Sequence, residues 1–97
     1  MKLIKEWWEG KLRYELYRRV IGADTHFPIC NIRINLYIDD LEIDSALYVS
    51  GLISEEQLIA NCLQRLREAR PAQIEMLENA LQVLREVESD GSKVTGN

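Results

Sequence analysis

The sequence predicts a small α+β domain that is mainly α, with an N-terminal helix, one short strand or hairpin, and a C-terminal helical hairpin. Three observations support this fold class. Apolar residues recur at helical spacing over residues 2–21, residues 31–38 alternate between apolar and polar, and Pro71 divides residues 54–88 into two amphipathic stretches. Strands and helices of this size would have to share one core.

The N-terminal segment is predicted to be a helix because the helical period collects more of its apolar residues than a strand period does. A strand pattern collects only Leu12, Tyr14 and Leu16. Gly10 inside the helix is expected to bend it, and Gly22 to end it. The helical pattern contains these residues: Ile4, Trp8, Leu12, Leu16, Tyr17, Val20 and Ile21.

The clearest strand is 31–38, in which Ile32, Ile34, Leu36 and Ile38 alternate with polar or aromatic residues. Residues 24–28, which end in a proline, are expected to form the loop before it. Asp39 or Asp40 is expected to cap a short helix over 41–50, closed by Ser50-Gly51. A hairpin return of the strand over 41–49 is the alternative, since this segment also begins with alternation.

The helical hairpin has the most local signals. Ser54 and Gln57 have the spacing of a capping box, in which the serine accepts from the Gln57 amide and the Gln57 side chain reaches back. Ile53 and Leu58 are placed as a hydrophobic staple. Pro71 should end one helix and begin the next. Apolar residues on the second helix cover an arc too wide for one neighbouring helix.

The 97 residues and 46% apolar content suit one domain over 1–88, followed by a flexible tail at 89–97. The sequence has no glycine-rich phosphate loop, zinc-ligand pair or nucleophile elbow. The single histidine, His26, and Cys30 lack a third group to orient them as a catalytic pair. We therefore expect no enzyme activity, no catalytic or metal site and no cofactor.

No apolar run reaches the roughly 20 residues of a membrane span, and the N-terminus lacks the apolar core of a signal peptide. A cytoplasmic protein without membrane contact is expected, with both cysteines reduced. Residues 1–38 carry seven Lys/Arg against four Asp/Glu, whereas 39–97 carry five against twelve. The acidic second half argues against nucleic-acid binding, although the basic first helix leaves it as an alternative.

Protein binding is the remaining class of function. A chain this short gains useful burial by association, so a larger partner protein or a homodimer is expected. The aromatic and basic residues of the first helix and the apolar flank of the last are the predicted contacts, since aromatic and arginine side chains dominate interface energies. These residues are Trp7, Trp8, Tyr14, Arg18, Met76 and Val83.

The run Lys5-Glu6-Trp7-Trp8, the single strand and the acidic helical second half together resemble the anti-RecBCD proteins of lambdoid phages. That resemblance implies a phage-encoded inhibitor in the bacterial host cytoplasm that binds the RecC subunit and alters the nuclease. Residues 46–84 are also similar to small enterobacterial connector proteins linked to biofilm and acid resistance. This second resemblance implies a homodimeric helical regulator.

Overall fold

The computed structural model describes residues 1–23, 28–49 and 53–94. Four antiparallel strands form one sheet in chain order, and two helices follow. The prediction of a mainly α fold is wrong, because the described residues include 40 in strands and 39 in helices, and the chain begins with four strands. The elements are β1 (Lys2–Glu9), β2 (Leu12–Ala23), β3 (Pro28–Ile38), β4 (Leu41–Val49), α1 (Glu55–Glu68) and α2 (Arg70–Val94).

The predicted N-terminal helix over 2–21 is a β-hairpin. Gly10 is not a bend in a helix but the first residue of a two-residue turn between β1 and β2, with φ +60°. Glycine at the first turn position with positive φ is the geometry of type II′ hairpin turns. Leu12, Tyr14 and Leu16 therefore follow the two-residue period of a strand, and pairing with β1 and β3 stabilises β2.

The strand predicted at 31–38 is confirmed as part of β3, and its partners are β2 and β4. The helix predicted over 41–50 is wrong, and the strand return is correct, because β4 folds back antiparallel on β3. Asp39, expected to cap a helix, instead occupies the turn with φ 52°, a conformation that aspartate tolerates better than most residues. Ser50-Gly51 and residues 24–27, including His26, lie outside the described residues.

The core lies between one face of the sheet and α1. Alternate residues of the two central strands point to this inner face, and α1 covers it mainly over β3 and β4. We call the opposite side of the sheet the outer face. The buried inner-face residues are Tyr14, Leu16, Ile32, Ile34, Leu36, Ile43 and Ala46, and α1 contributes Leu58, Cys62 and Leu66.

The cap of α1 is confirmed in its main part, since Ser54 Oγ accepts from the Gln57 amide at 3.2 Å. The reciprocal bond is not seen among the described residues, in which the Gln57 side chain donates to Asn61 Oδ1 at 2.9 Å. Ile53 is exposed while Leu58 is buried. Pro71 restarts the helix as predicted, with only Ala69 between α1 and α2.

The second helix extends far beyond the rest of the fold. Its 25 residues span about 37 Å, and the molecule measures 67 × 25 × 20 Å along its principal axes. The helix continues to Val94, past Ser89, where the tail was predicted to begin. Flexibility of 89–97 stays a prediction. A helix this long with few neighbours leaves much of its own surface open.

Candidate protein-binding surface

Gln73 fixes the start of α2 to the sheet and to α1. Its side chain is buried, and Nε2 donates both to Asp44 Oδ2 of β4 and to the Leu66 carbonyl of α1, each at 2.9 Å. Its Oε1 accepts from Arg70 Nε at 3.0 Å. One turn later, Leu77 packs against the core. These two residues hold the first two turns of α2 in place.

Apart from Leu77, the large apolar side chains of α2 as far as Val87 lie open to solvent. Six large ones are between 47% and 66% exposed, which is unusual for so many neighbouring residues on a monomer. We call this set the α2 apolar face. It consists of Ile74, Met76, Leu81, Val83, Leu84 and Val87.

The α2 apolar face covers about half the circumference of the helix. At roughly 100° per residue, Ile74 and Val83 mark its two borders, and Leu77, Leu84 and Ala80 lie between them. Gln73 and Leu77 point to the middle of this arc, where the fold covers the first two turns. The same side of the helix from Ala80 to Val87 is exposed. The exposed part of the α2 apolar face is therefore a continuation of the helix surface that packs against the core near Gln73.

Leu81, Leu84 and Val87 were not among the contact residues predicted from the sequence. The available signal was the width of the apolar arc, which one neighbouring helix could not cover. Met76 and Val83, which were predicted as contact residues, lie on this exposed surface. They occupy its border rather than its centre.

The other four predicted contact residues are distributed over both faces of the hairpin. Trp7 stacks on Tyr14 with ring centroids 5.1 Å apart, and Tyr14 is 1% exposed, so both belong to the inner face. Trp8 points to the outer face and is 60% exposed. Arg18 binds Glu55 at the start of α1, with Nη2 to Oε1 at 2.7 Å. These four side chains do not form one surface.

The outer face of the sheet is occupied by polar side chains that bind one another. Arg13 donates to Glu15 at 3.2 Å and lies over the Tyr37 ring at 4.5 Å from its centroid. The Tyr17 hydroxyl donates to Glu15 at 2.9 Å, which raises the pKa of Tyr17 through that hydrogen bond to a carboxylate. Asn35 donates to Tyr37 at 3.3 Å. The predicted basic patch is broken up, because Arg13 has local carboxylate partners.

The ionisable groups of the inner side are structural. Glu55 accepts from Arg18 Nε at 2.9 Å and from the Cys30 thiol at 3.4 Å, and the arginine lowers the pKa of Glu55. Burial raises the pKa of the Cys30 thiol and raises that of Cys62 to about 11. Thiols with raised pKa are poor nucleophiles because little thiolate is present. Neither cysteine has the environment of a reactive one.

The described residues form neither a metal-binding cluster nor a membrane-spanning helix. Among the described residues, no three His, Cys, Asp or Glu side chains are grouped as a metal site requires. No helix in the described part of the chain is long and apolar enough to cross a membrane.

Comparison of the chain with protein-family models, with curated proteins and with solved structures finds no match. The anti-RecBCD resemblance was built on three features, of which the basic N-terminal helix and the single strand are replaced by strands β1 to β4. The connector resemblance placed residues 46–84 in helices, whereas residues 46–49 belong to β4.

Proposed function

We propose that this protein works by binding protein through the α2 apolar face, without catalysis. One observation carries the proposal. A long helix is held at its first two turns by Gln73 and Leu77, and its next three turns present large apolar side chains to water. Covering such a surface is favourable by roughly 25 cal/mol for each Å² of apolar area removed from water.

The rigidity of the anchor supports a binding role. Ordering a flexible segment on binding costs free energy, and a helix that is already formed and fixed at one end avoids most of that cost. The exposed side chains are leucine, isoleucine, valine and methionine, which resemble the apolar positions of helices that lie in a partner's groove. The surface suits a helical or grooved partner.

A matched pair of substitutions on α2 tests the proposal. Leu84→Asp places a carboxylate at the centre of the face, whereas Gln82→Asp places the same group on the polar side of the helix, where Gln82 donates to Glu86. Native mass spectrometry of the chain purified from bacteria should show it bound to protein, either a second copy or another chain. Leu84→Asp should abolish that complex and Gln82→Asp should keep it.

Hydrogen exchange provides the second readout. Amides of residues 78–89 should exchange more slowly in the wild-type complex than in Leu84→Asp, because a covered helix opens less often. A wild-type chain that is free of other protein, with residues 78–89 exchanging as fast as in Leu84→Asp, would contradict the proposed function.

A narrower reading is that the bound protein is a larger host enzyme that this chain inhibits, such as the RecC subunit of the RecBCD nuclease. Trp8 supports a larger partner, since an exposed tryptophan on the outer face is the residue type that most often dominates an interface. Trp8→Ala should then weaken capture of that enzyme without unfolding the chain. Capture that is equally strong with Trp8→Ala would exclude Trp8 from the contact.

A further inference from the structure

One border of the α2 apolar face is self-complementary. Ile74, Leu77, Leu81 and Leu84 are spaced by three, four and three residues, which is the a/d spacing of helices that pack side by side. In an antiparallel pair centred on Asn79, Ile74 lies opposite Leu84 of the second copy and Leu77 opposite Leu81. The spacing of these apolar residues is therefore the same when it is read in the opposite direction along the helix, as an antiparallel pair requires.

The charges of α2 fit the same arrangement. Arg70 and Glu88 lie on the same line along the helix as these apolar residues, one at each end. In the pair centred on Asn79, Arg70 of one copy lies opposite Glu88 of the other. Glu78 and Arg85 flank the apolar residues and approach one another across the antiparallel pair. A parallel pair in register would instead bring Arg70 against Arg70 and Glu88 against Glu88, which is repulsive.

Twofold symmetry also accounts for the width of the arc. In an antiparallel pair the two sheets lie on the same side of the paired helices, one at each end. The sheet of the second copy then lies beside residues 80–87 of the first, where the side that carries Gln73 and Leu77 continues without cover. Two neighbours, a helix and a sheet domain, can cover an apolar arc that one helix cannot.

The available area suits a stable dimer. Six apolar side chains about half exposed supply on the order of 500 Å² in each copy, and the flanking polar groups bring the total above the roughly 1,000 Å² expected of a specific interface. The largest apolar patch of a typical monomer is about this size or smaller, so leaving it open would promote nonspecific association.

From these observations we infer that the protein is an antiparallel homodimer in which the α2 helices of two copies cover each other's apolar face. This inference rests on the proposed function and names its partner as a second copy of the chain. The paired layers are Ile74 with Leu84 and Leu77 with Leu81, each formed twice by symmetry, and the ion pairs Arg70 with Glu88 and Glu78 with Arg85 flank them.

Charge reversal tests the inference with the full chain in sedimentation equilibrium. Wild type should sediment at twice the mass of the chain. Glu78→Arg and Arg85→Glu should each weaken the dimer about tenfold, because each turns two attractive pairs into repulsive ones. The double variant, which carries both changes, should restore the wild-type affinity. Glu86→Arg changes the net charge by the same amount on the side of the helix away from the contact, so it should leave the dimer unchanged.

Several outcomes would overturn the inference. Failure of the double variant to recover affinity would show that the helices do not pair in the antiparallel register. Weakening of the dimer by Glu86→Arg as large as that by Glu78→Arg would show the same. A wild-type chain bound to a different protein through Leu84 would overturn the second copy as partner, while the proposed function would stand. A wild-type monomer with nothing bound would overturn both. Far-ultraviolet circular dichroism on each variant separates loss of dimer from loss of fold.

Discussion

Replacing Gln73 with alanine should detach the first turns of α2 from the sheet. The substitution removes two hydrogen bonds donated by Nε2, one to the Asp44 carboxylate and one to the Leu66 carbonyl, and a third accepted from Arg70. A neutral hydrogen bond contributes about 1 kcal/mol and one to a charged group about 2 kcal/mol. Asp44 is half-buried and recovers part of its loss from water, so the expected decrease in unfolding free energy is about 3 kcal/mol.

Urea unfolding followed by circular dichroism at equal protein concentration measures this change. Gln82→Ala is the matched control, because Gln82 lies on the same helix but its single bond, to Glu86 at 3.1 Å, is exposed. The control should change the unfolding free energy by less than about 0.5 kcal/mol. Gln73→Glu should be at least as destabilising as Gln73→Ala at neutral pH, since it sets a second carboxylate beside Asp44.

Equal effects of Gln73→Ala and Gln82→Ala would refute this reasoning. They would mean that α2 gains little from its buried bonds and that Leu77 alone holds it. Gln73→Glu that matches the wild type in stability would also contradict the account, since the carboxylates would then have to be separated by a movement of α2.

Three further predictions concern the sheet and α1. Trp7→Ala should lower the unfolding free energy by about 2 kcal/mol and Trp8→Ala by less than about 0.5 kcal/mol, because Trp7 covers the core while Trp8 is exposed. Equal losses of unfolding free energy in urea would contradict the placement of the two tryptophans. The pKa of Glu55 is lowered by Arg18, so this pair adds stability above pH 4.5, the ordinary value, and loses it as pH falls through the lower folded pKa. Arg18→Met should flatten that acid dependence, and an unchanged slope of stability against pH would count against the ion pair. With its pKa raised to about 11 by burial, Cys62 should react with a thiol reagent at pH 8 only on unfolding, and rapid reaction of the native chain would show that it is exposed.

Prediction from sequence succeeded where the local signal and the tertiary environment agree. Ser54 caps α1 and Pro71 lies in the first turn of α2 because backbone geometry near these residues has few alternatives. The strand at 31–38 was found because β3 is central and one of its faces is wholly buried, which enforces strict alternation.

The first hairpin was missed because β1 is an edge strand with only Trp7 half-buried. Its exposed residues Leu3 and Ile4 do not alternate, and a register shift between Leu3 and Lys5 disturbs the period further. The helical period over residues 2–21 was supported by Ile4, Trp8 and other exposed residues. Packing against the core does not constrain the positions of these side chains. Gly10 was the decisive residue, since a two-residue turn there joins two strands of opposite direction.

The candidate surface could be predicted in part. The sequence revealed that the apolar arc on α2 was too wide, and Met76 and Val83 were identified within it. It could not reveal that Leu84 and Val87 are open, because that depends on where the sheet ends relative to the helix. Gln73 was missed for a similar reason, since its partners Asp44 and Leu66 come from two other elements.

The distance between spin labels at position 89 tests the central claim, the antiparallel pairing of α2, most directly. Cys30 and Cys62 are buried, so a cysteine introduced by Ser89→Cys can be labelled selectively on the native chain. Pairing about Asn79 separates the two labelled positions by about 30 Å along the helices at 1.5 Å per residue. A dipolar distance near 30 Å that is lost in Leu84→Asp is the predicted result. A distance near 10 Å, as parallel helices would give, or no dipolar coupling in the wild type, would contradict the pairing.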